Sequence, residues 1–254
     1  MATFGISMVK DEADIVGITF AHMLTQVDHI IVLDNGSTDG TREILAELDV
    51  ELIDDPDPAY YQSLKMTALA QRAAAGGADH VVPFDADEYW YTPHAPTIAD
   101  FLASTGKQWL TVSAELYDHI ATGADPDETN PVRRIGWRRT SPGALPKVAC
   151  RVRPDLVIHQ GNHGATYDGG ATNLPGLIVR HFPYRSAEQF VSKVRNGSAA
   201  YAATDLPPTE GQHWRQYGEL LAAHGPDVVA DVFRTWFWVS DPTIDPSLIL
   251  DPAP

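Results

Sequence analysis

Val81-Val82-Pro83-Phe84-Asp85-Ala86-Asp87-Glu88 is an apolar run that ends in two aspartates one residue apart. Residues two apart share a face of an extended strand, and the same spacing in a turn can aim both side chains at one ion. Carboxylate oxygens suit hard cations such as Mg2+ or Mn2+, which keep coordination positions open for substrate phosphates. The competing reading is a solvated acidic loop, since aspartates commonly follow strands. The position favours the metal reading, because an apolar strand delivers the pair to the end of a sheet.

Upstream, short apolar runs alternate with helical patterns. Phe4 to Val9 reads as a strand and Asp11 to Leu24 as a helix with apolar Ile15, Ile18 and Met23. Asp28 to Asp34 is an apolar strand closed by the turn residues Asn35-Gly36-Ser37-Thr38-Asp39-Gly40. Thr41 to Leu48 reads as a helix, Val50 to Ile53 as a strand, and Asp54 to Pro58 as an Asp/Pro loop. Tyr61 to Ala75 is an alanine-rich helix ended by Gly76-Gly77, and Asp79 to Phe84 is a buried strand. Strands alternating with helices predict a parallel sheet covered on both faces, with ligands at the carboxyl ends of its strands. Val9-Lys10-Asp11, Asp34-Asn35-Gly36 and Asp85-Ala86-Asp87 all fall at such ends.

The second half has a different texture. Trp109 to Tyr117, Val148 to His159 and Leu174 to Phe182 read as strands, and Ser186 to Ala203 as a helix. Arg133 to Lys147 reads as a basic Pro/Gly loop, and His213 to Trp238 as a helical, aromatic-rich tail before an irregular end marked by Pro242, Pro246 and Pro252.

The 254 residues are 44% hydrophobic and 20% charged, which predicts an ordinary globular core. A net charge of -16 argues against nucleic acid as the main partner. It does not exclude a nucleotide, because a bound cation reverses the local field. The lone cysteine, Cys150, fits a reducing compartment, and its strand setting reads as a small buried hydrophobe. The start shows no signal-peptide pattern, and no stretch reaches the roughly 20 apolar residues of a membrane span. A soluble, cytoplasmic protein is the expectation, and homo-oligomerisation is left open.

Ile30-Ile31-Val32-Leu33-Asp34-Asn35-Gly36-Ser37-Thr38-Asp39-Gly40-Thr41 resembles the second-strand signature of family 2 glycosyltransferases. Ser7-Met8-Val9-Lys10-Asp11-Glu12 resembles that family's first-strand motif, with Asp11 where an Asn is common. Phe84-Asp85-Ala86-Asp87-Glu88 resembles its Asp-X-Asp motif. The three occur in the family's order within about the first 90 residues. The resemblance implies an α/β fold of the GT-A type, a Rossmann-like, mostly parallel central sheet flanked by helices. It also implies a UDP- or GDP-sugar donor, Mn2+ or Mg2+, and inversion at the anomeric centre. By the same analogy Val9, Asp11, Glu12, Asp34 and Asn35 surround the nucleoside, and Lys65 lies near the diphosphate. Asp85 and Ala86 face the sugar or ribose, and Asp85 and Asp87 serve the metal. The division expected is a catalytic domain over residues 1–205, in halves 1–90 and 91–205, with a C-terminal helical extension over 206–254.

The family's usual acidic base motif and the Arg-Trp helix after it are missing from the second half. His159-Gln160-Gly161-Asn162-His163-Gly164 and His181-Phe182-Pro183-Tyr184-Arg185-Ser186 stand there instead. His181, after an apolar strand, completes a metal shell or is a hydrogen-bonded structural histidine. His163, between glycines, is an acceptor-side base, a metal ligand or a plain loop residue; Asp118 and Glu115 are the other base candidates. Arg185 and Lys193 neutralise a diphosphate or form surface salt bridges. Asp34 can accept from a nucleobase, whereas Thr38 and Asp39 read as helix N-caps. Tyr89, Trp90 and Tyr91 are candidates to stack on a sugar; Trp236, Phe237 and Trp238 read as packing of the terminal helix.

Sugar transfer from a nucleotide donor is the leading expectation. A nucleotide-sugar-binding protein without turnover is the alternative that an altered second half leaves open. A phosphohydrolase of the haloacid-dehalogenase type also places Asp-X-Asp after a strand, but its nucleophile lies near the chain start.

Overall fold

The computed structural model describes residues 1–253. In chain order the strands and helices begin with β1 (Ala2–Val9), α1 (Val16–Gln26), β2 (His29–Asp34), α2 (Thr41–Ala46) and β3 (Glu51–Asp54). Next come α3 (Gln62–Ala75), β4 (Ala78–Pro83), β5 (Glu88–Tyr91), α4 (Ile98–Ser104) and β6 (Thr111–Asp118). Then follow β7 (Ala121–Thr122), α5 (Pro131–Arg134), β8 (Trp137–Arg139), β9 (Lys147–Arg151), β10 (Val157–Ile158), β11 (Ala165–Thr166) and β12 (Asn173–His181). The chain closes with α6 (Ala187–Ala202), α7 (Gln212–His224), α8 (Pro226–Trp236), β13 (Trp238–Val239) and β14 (Leu248–Leu250). Two compact units result. The first joins Met1–Asp55, Tyr61–Tyr117 and Pro142–His181, and the second joins Pro56–Tyr60, Asp118–Ser141 and the chain from Phe182 onward.

The first unit is built on one eight-stranded sheet in the order β3-β2-β1-β4-β9-β6-β12-β5. β3, β2, β1 and β4 run parallel, whereas β9 joins β4 and β6 antiparallel, and β5 joins β12 antiparallel. The α/β class therefore holds, with the strand–helix alternation of the first 90 residues forming the parallel half. In register, Val9 lies beside Asp34 and Asp34 beside Asp54, so one rim collects the polar residues that follow these strands.

Alternation along the strands fills two cores. Ile6 and Ile31 pack with Met66, Leu69 and Ala73 of α3 on one face. Val9, Ile30 and Val32 pack with Val16, Phe20 and Met23 of α1 on the other. Each such large side chain contributes roughly 1.5–3 kcal/mol through burial. Gly5 marks the closest approach: a Cβ there would stand 3.0 Å from the Phe84 ring and 3.2 Å from Ile30. The Gly pair ends α3 as expected, with Gly77 at φ +94.

Several boundaries differ from the sequence expectation. α1 starts at Val16 rather than Asp11, because Asp11 adopts φ 51 and turns the chain, while the Glu12 carbonyl accepts from the Ile15 and Val16 amides. The strand expected over Val148 to His159 breaks after Arg151, where Pro154 removes a ladder donor and the Leu156 amide turns back to the Arg153 carbonyl. β5 and α4 were not anticipated; α4 is capped by Thr97, whose hydroxyl accepts from the Asp100 amide at 3.0 Å.

The part of the basic Arg133 to Lys147 loop that lies in the second unit, up to Ser141, carries the end of α5 and the strand β8. Asn130 caps α5 with Pro131 in its first turn. Arg138 Nε pairs with Asp251 at 2.6 Å, and Arg139 Nη1 donates to the Ser247 hydroxyl at 2.9 Å. The tail expected to be helical over His213 to Trp238 is two helices, α7 and α8, divided where Gly225 adopts φ +83 and Pro226 starts α8. Phe237 packs on Tyr184 and Phe190, as the packing reading requires, but Trp236 is 71% exposed and Trp238 is also exposed. Among the described residues no helix is long and apolar enough to cross a membrane.

Candidate functional site

The loops after β1 and β2 are tied to each other by the residues that the motifs singled out. The Val9 carbonyl accepts from the Asn35 amide at 2.9 Å. Lys10 Nζ donates to the Asn35 and Gly36 carbonyls, both at 2.8 Å. Asp11 Oδ1 accepts from the Thr38 amide at 2.7 Å, and the Glu12 amide donates to the Thr41 hydroxyl at 2.8 Å. Among the described residues Asp11 is one of two non-glycine residues with positive φ, the other being Asn162. Such backbone is costly and collects at functional turns.

Asp34 is buried, with Oδ1 accepting from the Ser37 amide at 3.1 Å and Oδ2 3.5 Å from Arg42 Nη1. Arg42 also pairs with Asp54. The expected N-caps are corrected here: Gly40 holds the cap position of α2 with no side-chain cap. Asp39 instead accepts from the Thr41 amide and the Ala13 amide, both at 3.0 Å, bridging the two loops. Lys65 Nζ lies 2.6 Å from Asp55 Oδ2, which also accepts from Asn35 Nδ2 at 2.7 Å. Asp55 thus joins two predicted residues, Lys65 and Asn35, through a residue that the motifs did not name.

The turn after β4 is held from four directions. Asp85 Oδ2 accepts from Lys147 Nζ at 2.6 Å, and Oδ1 from Gln62 Nε2 at 3.1 Å and Asn162 Nδ2 at 3.0 Å. Lys147 Nζ also lies 2.8 Å from Glu88 Oε1 and donates to the Gly161 carbonyl at 2.8 Å. Glu88 Oε2 accepts from the Asp85 amide at 3.1 Å and from Trp90 Nε1 at 2.9 Å. Burial works against the Lys147 ammonium, but the Asp85 and Glu88 carboxylates together hold its pKa above the ordinary lysine value. Burial pushes the Glu88 carboxyl up, against the pull of Lys147. The Ala86 carbonyl, next in the turn, accepts from the Thr19 hydroxyl of α1 at 2.7 Å.

Asp87, buried in the same turn, turns to the end of β12. His181 Nε2 lies 3.7 Å from Asp87 Oδ1, and His181 pairs with Glu88 in the β12–β5 register. Among the described residues no group of three or more His, Cys, Asp or Glu forms a ready-made metal cage. One carboxylate and one imidazole are nevertheless a fitting pair for a cation that fills its remaining positions with water and substrate phosphate.

His163 Nδ1 lies 3.0 Å from the Pro146 carbonyl. A carbonyl can only accept, so Nδ1 carries the proton and Nε2 bears the lone pair of the neutral ring. Burial lowers the His163 pKa, helped by the Lys147 charge, which favours the neutral ring.

The remaining candidates are placed as follows. Asp118 ends β6, and Glu115 on the same strand is exposed and accepts from the Tyr117 hydroxyl at 2.9 Å. Arg185 is buried in the second unit, donating from Nη1 to the Phe182 carbonyl at 3.0 Å, and Lys193 Nζ reaches the Pro183 carbonyl at 3.4 Å. The stacking role expected for Trp90 is corrected: it is fully buried in the core and serves Glu88. Tyr89 is buried and stacks on His22, and Tyr91 lies under the Arg180 guanidinium, 5.2 Å away.

Sequence reasoning missed Gln62, Lys147, Glu88 and Asp55. Lys147 lies 62 residues from its partner Asp85, and Gln62 lies 23 residues from it. No local spacing encodes such pairs. The available signal was a lysine opening an otherwise apolar strand, Val148-Ala149-Cys150.

The model of the family described as glycosyl transferase family 2 matches residues 6–141, more than half of the 254. Similar solved structures include glucosyl-3-phosphoglycerate synthase from Mycobacterium tuberculosis in complex with Mn2+, UDP and phosphoglyceric acid. It is 22% identical with a TM-score of 0.34, over 45% of this chain and 43% of that one. Mannosyl-3-phosphoglycerate synthase from Rubrobacter xylanophilus is 19% identical with a TM-score of 0.32, over 46% and 41%. A mycobacterial protein is 16% identical with a TM-score of 0.39, over 81% and 76%. The matched region thus spans less than half of either synthase. No curated protein matches. The family match takes in all three rim clusters, from Val9 to Asp87, and sets aside the haloacid-dehalogenase alternative; the chain belongs to glycosyl transferase family 2.

Proposed function

We propose that this chain is a glycosyltransferase that moves a sugar from a UDP- or GDP-linked donor to an acceptor, with Mn2+ or Mg2+ and with inversion. The observation that carries the reading is the approach of His181 to Asp87, 3.7 Å apart at the rim that also holds Asp34, Asp11 and Lys65. In this reading Asp34 accepts from the nucleobase, with Val9, Asp11, Glu12 and Asn35 shaping the nucleoside side. Lys65, poised 2.6 Å from Asp55, exchanges that partner for the diphosphate. Arg185 is proposed as a further cationic residue for the diphosphate.

Asp87 and His181 hold the cation, and Asp85 with Ala86 shapes the turn against the sugar or ribose. When bound, the cation offsets the charge that develops on the departing diphosphate. His163 Nε2 removes the acceptor proton, a task that suits a neutral imidazole with a lowered pKa. Asp118 is the second candidate base. Residues 1–90 form the donor half, 91–205 the acceptor side, and 206–254 an extension.

The test is calorimetric titration of UDP and GDP with and without Mn2+. Tighter nucleotide binding with Mn2+, lost in Asp87→Ala, supports the reading; binding indifferent to Mn2+ in the native chain rejects the metal assignment.

A further inference from the structure

Lys147 is buried; its ammonium donates to Asp85 Oδ2 at 2.6 Å and to the Gly161 carbonyl at 2.8 Å, and is ion-paired with Glu88 Oε1 at 2.8 Å. Glu88 is fully buried and its second oxygen holds the Asp85 amide and the Trp90 indole. The turn Asp85-Ala86-Asp87-Glu88 is therefore clamped at both ends by one cation. Within it the carboxylates divide: Asp85 and Glu88 converge on Lys147, whereas Asp87 lies against His181.

A buried carboxylate such as Glu88, with the half-buried Asp85 beside it, is unfavourable without a counter-charge, and one ammonium between them removes most of that cost. A structural salt bridge needs only that. This one also has a directional consequence. Residues two apart can converge on one ion, so an unrestrained Asp85 would compete to join Asp87 at a bound divalent cation. The ammonium, with Gln62 and Asn162 on the other oxygen, turns the Asp85 carboxylate the other way.

We propose that Lys147 is a positioning residue: it withholds Asp85 from the cation and leaves Asp87 with His181 as the pair presented to it. The inference rests on the metal reading proposed above, and the experiment separates the two. The probe is Mn2+ alone, titrated by calorimetry and followed by the paramagnetic resonance of the free ion, against a melting curve for each variant. Lys147→Met alone strands Asp85 and Glu88 and is expected to melt early. Adding Glu88→Gln removes the excess charge and should restore much of the melting temperature.

In that double variant Asp85 is released, and Mn2+ affinity is expected to rise at least fivefold over the native chain. Adding Asp85→Asn should return it to within twofold of native. A folded double variant that binds Mn2+ no better than the native chain, or not at all, overturns the proposal and makes Lys147 purely structural. Failure of the metal reading is read separately, as native Mn2+ binding that Asp87→Ala does not weaken. If the double variant does not fold, Gln62→Met serves: with the ammonium still in place, Mn2+ affinity should stay within twofold of native. A fivefold rise there would show that neutral donors, not Lys147, restrain Asp85, and would overturn the proposal equally.

Discussion

His181 Nε2 lies 3.7 Å from Asp87 Oδ1, which brings the end of β12 onto the turn after β4 across 94 residues of chain. Asp85, two residues from Asp87, instead accepts from Lys147, Gln62 and Asn162. The two aspartates of one motif thus serve different partners, and substitutions there should have different signatures.

Asp87→Ala is expected to abolish the Mn2+-dependent part of UDP binding, a loss of tenfold or more, ~1.4 kcal/mol at least. His181→Ala should weaken the same quantity less, since water can replace one imidazole on a cation that tolerates several waters. Calorimetry at fixed Mn2+ measures both.

Gly5→Ala should destabilise the first unit by about 1–3 kcal/mol, because the added methyl meets the Phe84 ring at 3.0 Å and Ile30 at 3.2 Å in a packed core. Urea unfolding compares the midpoints; an unchanged midpoint would show that the core yields there.

His80 gives stability a dependence on pH. It is buried on β4, its Nδ1 has no hydrogen-bond partner, and burial with the Arg151 charge lowers its pKa to about 4. The unfolded chain binds the proton nearer pH 6.5, so between those values the unfolded state carries more protons. The contribution is whole above pH 6.5 and is lost as pH falls toward 4, up to about 3 kcal/mol. His80→Gln should flatten that part of the stability profile, measured by denaturant unfolding at pH 4.5 and 7.5.

Cys150 should resist thiol reagents in the native chain. It is buried, and burial pushes its pKa up to about 12, so little thiolate exists at pH 8. A chromogenic disulfide reagent is expected to react only on unfolding; stoichiometric reaction with the folded protein would contradict the packing of β9.

The parallel half of the fold was legible because its signals are local. Apolar runs of the right length end in turn residues, and Gly76-Gly77 stops α3 where the helical pattern stops. Asp11, Asp34, Asp85 and Asp87 were legible because strand ends in such sheets place polar residues on one rim. The clamp on Asp85 was not, because Lys147, Gln62 and Asn162 come from three distant segments and meet only through tertiary packing. The same holds for Trp90: its place beside the aspartates suggested a sugar platform, yet the antiparallel pairing of β5 with β12 turns it into the core. The break within the helical tail lies at Gly225-Pro226, where a glycine and a proline stand between two helical patterns.

The central claim is transfer from a nucleotide sugar, and a donor panel tests it most directly. UDP- and GDP-sugars are incubated with the protein and Mn2+, and nucleoside diphosphate release is followed. Release from one donor, reduced at least tenfold in Asp87→Ala and in His163→Ala, is the predicted result. Tight nucleotide binding with no release from any donor, with or without added acceptors, would contradict it and leave a nucleotide-sugar-binding protein in its place.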